Sequence, residues 1–324
     1  MSMVRRIGIV LGAAVLLFTA ACSKQTGGPA SASGQKTIKI GMANLSLCCA
    51  YFIGMSKAVE EEAKAFSNVQ VLVTNADGKI EKLTADVEDL ISKKVDGVVL
   101  SAAWIEAAPA ALEALQKAHI PVVMVDRKLK NGEYTSWIGP DNYAIGQGIG
   151  DFLVKTLASK GKLAVIRGGP ADNSIGLDRT NGMKSKVEGS GIELAVYPDW
   201  GGWSTDGGKK AMEDMMAKNP DLSAVFCEND SMCLGAMSAI GDAGKQNQII
   251  VTGVDGQKEA LKEILDGTCY RATGLNNSDQ IGRAGFHRLM AILAGGQPEK
   301  DTVLPSPIIN RDNVVKYYNP ASIF

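Results

Sequence analysis

The chain has 324 residues, with 34 Lys+Arg against 35 Asp+Glu and a formal net charge of −1. Apolar residues make up 45% and charged residues 21%, the balance of a globular protein and not of a disordered one. A near-neutral chain has no basic field for nucleic-acid phosphates, and this length suits two domains. The six cysteines show no Cys-x-x-Cys spacing and the histidines are only His119 and His287, which argues against a metal centre.

Arg5 and Arg6 precede an uncharged apolar stretch from Ile7 to Ala21. It is too short for a membrane span and fits the core of a signal peptide. Ala20 and Ala21 then precede Cys22. This resembles a bacterial lipobox, with Thr19 where that pattern prefers Leu. It implies a signal peptide over 1–22 and a lipid on Cys22, with simple secretion as the alternative. Residues 23–36 are polar and rich in Gly and Ser, the composition of a flexible tether.

Beyond the tether, apolar runs alternate with helical patterns. Thr37–Leu45 predicts a strand, with Ile38, Ile40 and Met42 spaced by two. Phe52–Phe66 predicts a helix and Val69–Thr74 a strand. Over Ile80–Lys93, residues Ile80, Leu83, Val87, Leu90 and Ile91 share one helical face. A strand over Val95–Leu100, a helix over Ala107–Ala118 and a strand over Pro121–Asp126 follow. The alternation then restarts, with helices at Ile145–Ala158, Ile175–Glu188, Gly208–Lys218, Ser231–Ala243 and Glu259–Leu265. Between them lie strands at Leu163–Ile166, Ile192–Tyr197, Ala224–Cys227 and Ile249–Gly253. Two such successions predict two doubly wound α/β lobes with parallel sheets. Ligands in such sheets bind beyond the carboxyl ends of the strands.

Those ends are rich in polar and aromatic residues. They carry Cys48-Cys49-Ala50-Tyr51-Phe52, Trp104, Asp126-Arg127 and Gly168–Asn173 with Arg179 beyond. They also carry Asp199–Trp203, Glu228-Asn229-Asp230, Asp255-Gly256 and Asn276-Asn277. Carboxylates and carboxamides accept from hydroxyl groups, guanidinium groups donate, and aromatic faces cover the C–H side of a ring. The inventory suits a small polyhydroxylated ligand. Asp230 is expected to cap a helix, and Trp200 to be core. Met212, Met215 and Met216 have helix-core spacing, and both histidines are expected to be structural. Gly-x-Ser-x-Gly, the P-loop and Gly-x-Gly-x-x-Gly are all absent, so neither catalysis nor a cofactor is expected.

The segments Pro121–Arg127, Ala224–Asp230 with Leu234-Gly235-Ala236, Val254-Asp255-Gly256 and Asp279–Gly282 resemble the ribose-binding-like sugar-binding proteins of ABC importers. The similarity runs over nearly all of residues 37–310. It implies a type I periplasmic-binding fold, with hinged lobes at 37–140 plus 277–305 and at 141–276 plus 306–324. It implies that Tyr51 and Phe52 pack against the sugar and that Asp126 and Arg127 bind ring hydroxyls. Arg179 would be a second cationic donor and Trp203 a stacking ring. Asn229 and Asp255 would be polar ligands, with Asn276 near the hinge. Strand-end placement adds Trp104 and Cys49. Cys48-Cys49-Ala50 stands where the group has an Asn-Pro type sequence, which removes a carboxamide and argues against ribose itself. The two cysteines have three open fates: a vicinal disulfide plate, two small buried thiols, or a disulfide to Cys227, Cys233 or Cys269.

The expected activity is capture of a monosaccharide or polyol by hinge closure and delivery to an ABC permease. The expected protein is a monomer in the periplasm or at the cell surface, anchored to the membrane through Cys22. A sensory receptor feeding a chemoreceptor or sensor kinase is the alternative. A LacI-type repressor half is disfavoured by the signal segment.

Overall fold

In the computed structural model, residues 36–170 and 174–324 are described. The expected signal peptide, Cys22 and nearly all of the tether lie outside them, as do Asp172 and Asn173. Thr37–Phe324 is one compact unit.

The first succession is β1 (Ile38–Asn44), α1 (Ala50–Ala63), β2 (Val69–Asn75), α2 (Ile80–Ser92) and β3 (Gly97–Ser101). It continues with α3 (Pro109–Lys117), β4 (Val122–Val125), β5 (Ser136–Gly139) and α4 (Asn142–Thr156). The second comprises β6 (Gly161–Ile166), α5 (Ile175–Val187), β7 (Ile192–Val196), α6 (Thr205–Lys218) and β8 (Leu222–Cys227). It continues with α7 (Asp230–Asp242), β9 (Ile250–Asp255), α8 (Lys258–Asp266) and β10 (Tyr270–Leu275). Last come α9 (Ser278–Leu293), β11 (Asp301–Val303) and β12 (Ile308–Asn310).

The strands form two sheets, one in each lobe. Their orders are β11-β5-β4-β3-β1-β2 and β12-β10-β9-β8-β6-β7. Every pairing is parallel except β10 with β12. Central strands are buried on both faces because helices cover both, so β3 and β4 are apolar almost throughout. The same cover hides all of β1 from Ile40 to Asn44, so its alternating pattern does not mark a half-exposed strand. The edge strand β2 keeps several residues partly exposed.

The chain passes between lobes three times: between β5 and α4, between β10 and α9, and between β11 and β12. Helix α9 returns to the first sheet, where Ile281, Phe286 and Leu289 pack with Ile40, Val99 and Val125. Helix α4 packs Ile145, Ile149 and Leu153 on the second sheet with Leu163, Val165 and Phe226. Helices α4 and α5 touch backbone to backbone. A Cβ at Gly146 would lie 2.1 Å from the Arg179 carbonyl oxygen, and one at Gly182 as close to that of Tyr143. Two glycines thus fix where α5 presents Arg179.

Five elements go beyond the sequence expectation: β5, β10, α9, β11 and β12. In β10, Arg271, Thr273 and Gly274 break the apolar run, and β11 and β12 have three residues each. Cys227 and Cys233 are joined by a disulfide between the end of β8 and α7, with a Cα–Cα distance of 5.5 Å. Neither is therefore open to Cys48 or Cys49, which are free thiols, as is buried Cys269. Among the described residues no helix is long and apolar enough to cross a membrane.

Candidate ligand-binding site

The carboxyl ends of both sheets open onto one cavity of about 330 Å³. A cavity of this size holds a molecule the size of a monosaccharide.

From the first lobe, Asp126 follows β4 with φ +65°. This left-handed backbone is held on both sides. The Asp126 N–H donates to the Ile138 carbonyl, and its own carbonyl accepts from Trp137 Nε1 at 3.0 Å. One carboxylate oxygen accepts from the Tyr51 hydroxyl at 2.9 Å. Burial, with Asp126 beside it, holds the Tyr51 phenol well above its ordinary range. Arg127 is almost fully buried and donates through Nε to the Ala103 carbonyl at 2.5 Å. Its other arm crosses to the second lobe and donates to Ser174 Oγ at 2.6 Å. Tyr51 meets Phe52 edge to face, and Phe52 meets Trp104.

From the second lobe, Arg179 on α5 is buried and donates in three directions. Nε reaches Asn142 Oδ1 at 2.9 Å, and the terminal nitrogens reach the Glu228 carbonyl at 2.6 Å and Asp255 Oδ1 at 2.9 Å. Asn276 Nδ2 also donates to Asp255 Oδ1, at 3.3 Å. The Asn276 Oδ1 is buried with no hydrogen-bond partner among the described residues. Burial pushes the Asp255 carboxyl up to about 6 against the pull of Arg179, and Asp126 across the cleft adds to the rise. Trp203 sits at φ +57° with its ring over Gly168, where a Cβ would lie 2.0 Å away.

The eleven residues expected to bind the ligand all line this cavity. Tyr51, Phe52, Trp104, Asp126, Arg127 and Cys49 line the first-lobe wall. Arg179, Trp203, Asn229, Asp255 and Asn276 line the second. Trp200 is neither core nor part of the cavity: it is partly exposed beneath the Arg167 guanidinium, 4.3 Å from its ring centroid. Asn229, not Asp230, caps α7, its Oδ1 accepting from the Met232 N–H at 3.0 Å while its Nδ2 donates to the Trp203 carbonyl.

Asp230 is instead a fully buried knot. It accepts from the Tyr270 hydroxyl at 2.6 Å, the Thr273 hydroxyl at 2.8 Å, and the Gly256 and Gln257 N–H groups, each at 2.8 Å. It thereby fixes the loop that carries Asp255. Glu228 is also inward, accepting from the Gly168 N–H and Thr180. The cavity further includes Cys48, Ile175, Ser231, Gln257 and Phe324. Gln257 and Ser231 adjoin strand ends already singled out. Phe324 has no local signal: the chain folds back so that its ring meets Tyr51 edge to face at 5.1 Å.

A family model described as a periplasmic binding protein domain matches residues 40–297. The chain belongs to that family. It is 29% identical over 306 residues to the ribose import binding protein of Bacillus subtilis (strain 168), covering 94% of this chain and 98% of that protein. An ABC transporter solute-binding protein from Mycobacterium smegmatis, solved with bound glycerol, matches with a TM-score of 0.78 at 28% identity, over 88% of this chain and 98% of that one. A periplasmic solute-binding protein from Actinobacillus succinogenes 130z, solved with D-allose, shares the fold: the TM-score is 0.80 at 22% identity, over 87% of this chain and 100% of that one.

Replacing Asp230 by Ala strands three buried donors and the partly buried Gln257 N–H, just behind the ligand-facing wall. The expected cost is about 3 kcal/mol or more, and a fall in melting temperature of roughly 10 °C. Thermal denaturation checks this; an unchanged midpoint contradicts the knot.

Proposed function

We propose that this protein captures a monosaccharide or related polyol in the interlobe cavity and delivers it to an ABC permease. The observation that carries this reading is the facing of two charged pairs. Asp126 and Arg127 come from one lobe and Arg179 and Asp255 from the other, with Tyr51, Phe52, Trp104 and Trp203 around them. Paired acceptors and donors read adjacent hydroxyls, while the aromatic surfaces cover the C–H faces of a ring. Bonds from both lobes make closure depend on the ligand, since only the closed state makes all of them. Nothing in this mechanism alters the ligand. A sensory receptor would use the same cavity; the relatives named above as import and ABC transporter proteins favour transport.

We also propose that the chain is exported and held at the membrane by a lipid on Cys22, with the polar segment after it as tether. The basis is the small-residue pair before Cys22 that follows an apolar stretch. The intact mass of the mature protein checks this: a lipid-modified N-terminal Cys22 is expected, and an unmodified or different N-terminus rules the anchor out.

Calorimetry with a panel of pentoses, hexoses and polyols tests the ligand class. Asp126→Ala is expected to weaken the ligand found by roughly 10- to 100-fold, the loss of a charged acceptor, with the fold intact. Unchanged affinity removes Asp126 from the site, and no binding across the panel removes the sugar reading.

The raised Asp255 carboxyl also sets a pH dependence. Above about pH 6 it is ionised and accepts hydrogen bonds on both oxygens; below, it gains a proton, loses its charge and keeps only part of that acceptor capacity. Affinity is therefore expected to fall as pH is lowered through about 6, and Asp255→Asn to flatten the profile. A flat wild-type profile contradicts the assignment.

A further inference from the structure

The cavity wall at the start of α1 carries two adjacent cysteines that the sugar reading does not use. Cys48 and Cys49 are free thiols, exposed at the surface, and both line the cavity. They are consecutive in the chain, so each thiol influences the ionisation of the other, and Ser46 adds to the effect on Cys48. Cys49 has extended backbone, φ −149° and ψ 166°, immediately before the helix that carries Tyr51 and Phe52. A covalent change at this pair is therefore transmitted directly to two cavity residues.

We infer that Cys48 and Cys49 form a reversible modification site, a vicinal dithiol that a small-molecule or protein disulfide oxidises to a Cys48–Cys49 disulfide, changing the grip of the cavity on its ligand. The effect on the ligand rests on the sugar-binding reading above; the modification itself does not.

The chemistry is thiol–disulfide exchange. The Cys48 thiolate attacks one sulfur of the incoming disulfide, expels a thiolate and leaves a mixed disulfide. Cys49 gives its proton to the expelled thiolate, attacks the Cys48 sulfur and displaces the second. The cysteine pair loses two electrons and the reagent gains them; the reagent leaves as one thiol, carrying the Cys49 proton, and one thiolate, which takes a proton from water. The neighbouring Cys49 thiol, helped by Ser46, pulls the Cys48 thiol below the ordinary cysteine range despite burial, which favours the attacking thiolate. The Cys49 thiol is held up, first by the Cys48 thiol and then by burial.

Reversibility follows from the spacing. Consecutive Cα atoms lie about 3.8 Å apart, below the roughly 4.4–6.8 Å that disulfides favour. Such a bond is more easily reduced than Cys227–Cys233, whose Cα atoms are 5.5 Å apart. The two pairs therefore separate on a redox scale. Oxidation also removes one thiolate and one S–H group from the stretch of the first-lobe wall that includes Phe52, Ala103, Trp104 and Phe324. That stretch becomes more apolar and fits the C–H face of a sugar better.

The test poises the purified mature protein in glutathione buffers from reduced to oxidised. Non-reducing peptide mapping follows the cysteines, and calorimetry with the best sugar of the panel follows affinity. Cys48–Cys49 is expected to close under oxidation and open under mild reduction, with Cys227–Cys233 closed throughout. Affinity is expected to be about tenfold tighter when oxidised, on the scale of one polar contact, and independent of redox state in Cys48→Ser and Cys49→Ser. Thiols at 48 and 49 that stay free in oxidised glutathione overturn the site. A disulfide that forms with no change in affinity overturns its effect on the ligand. If no sugar binds, the sugar reading has failed, while the peptide map still decides the modification.

Discussion

The interlobe site depends on keeping charged groups ionised where water is largely excluded. A charge taken out of water costs several kcal/mol unless partners replace its solvent. Here Arg179 is satisfied by Asn142, the Glu228 carbonyl and Asp255. Arg127 is satisfied by the Ala103 carbonyl and Ser174. These bonds also orient the guanidinium planes and carboxylates, so the partners that lower the cost of burial are the ones that aim the site. Much of this holding is done by backbone carbonyls at strand ends, which do not move unless the sheets do.

A second cost accompanies the first. Ala103, Asp126, Trp203 and Asp255, all in the cavity wall, have φ of +46°, +65°, +57° and +124°. Such conformations cost about 1–3 kcal/mol each and persist where the surroundings fix them. Around Asp126 the fixing partners are Ile138 and Trp137; around Asp255 they are Asn276 and the loop held by Asp230. The strain turns side chains that would point along the strands into the space between the lobes. The first wall is then largely aromatic and apolar and the second largely polar, an asymmetry matched to a ligand with a C–H face and a hydroxyl-bearing edge.

The α/β alternation and the gathering of strand ends were legible because apolar period and strand-end polarity are local signals. Asp126, Arg127 and Asp255 lie at the ends of clear strands and Arg179 one turn into a clear helix, so position marked them as candidates, while their binding roles rest on the resemblance. The rest depended on tertiary context. β10 carries Arg271 on an exposed position, and β11 has too few residues to show a pattern. Asp230 reads locally as a helix cap, yet Tyr270 and Thr273, remote in sequence, make it a buried acceptor. The Cys227–Cys233 pairing depends on how α7 leaves β8, and the place of Phe324 on how the last residues approach Tyr51. None of these is written in a local pattern.

Hydrogen exchange with and without the best sugar of the panel tests the central claim most directly, because it reports on both lobes at once. Slowed exchange is expected around 103–127 in the first lobe and around 228–230 and 255–257 in the second. Slowing confined to one lobe, or located away from the strand ends, contradicts a ligand held between them.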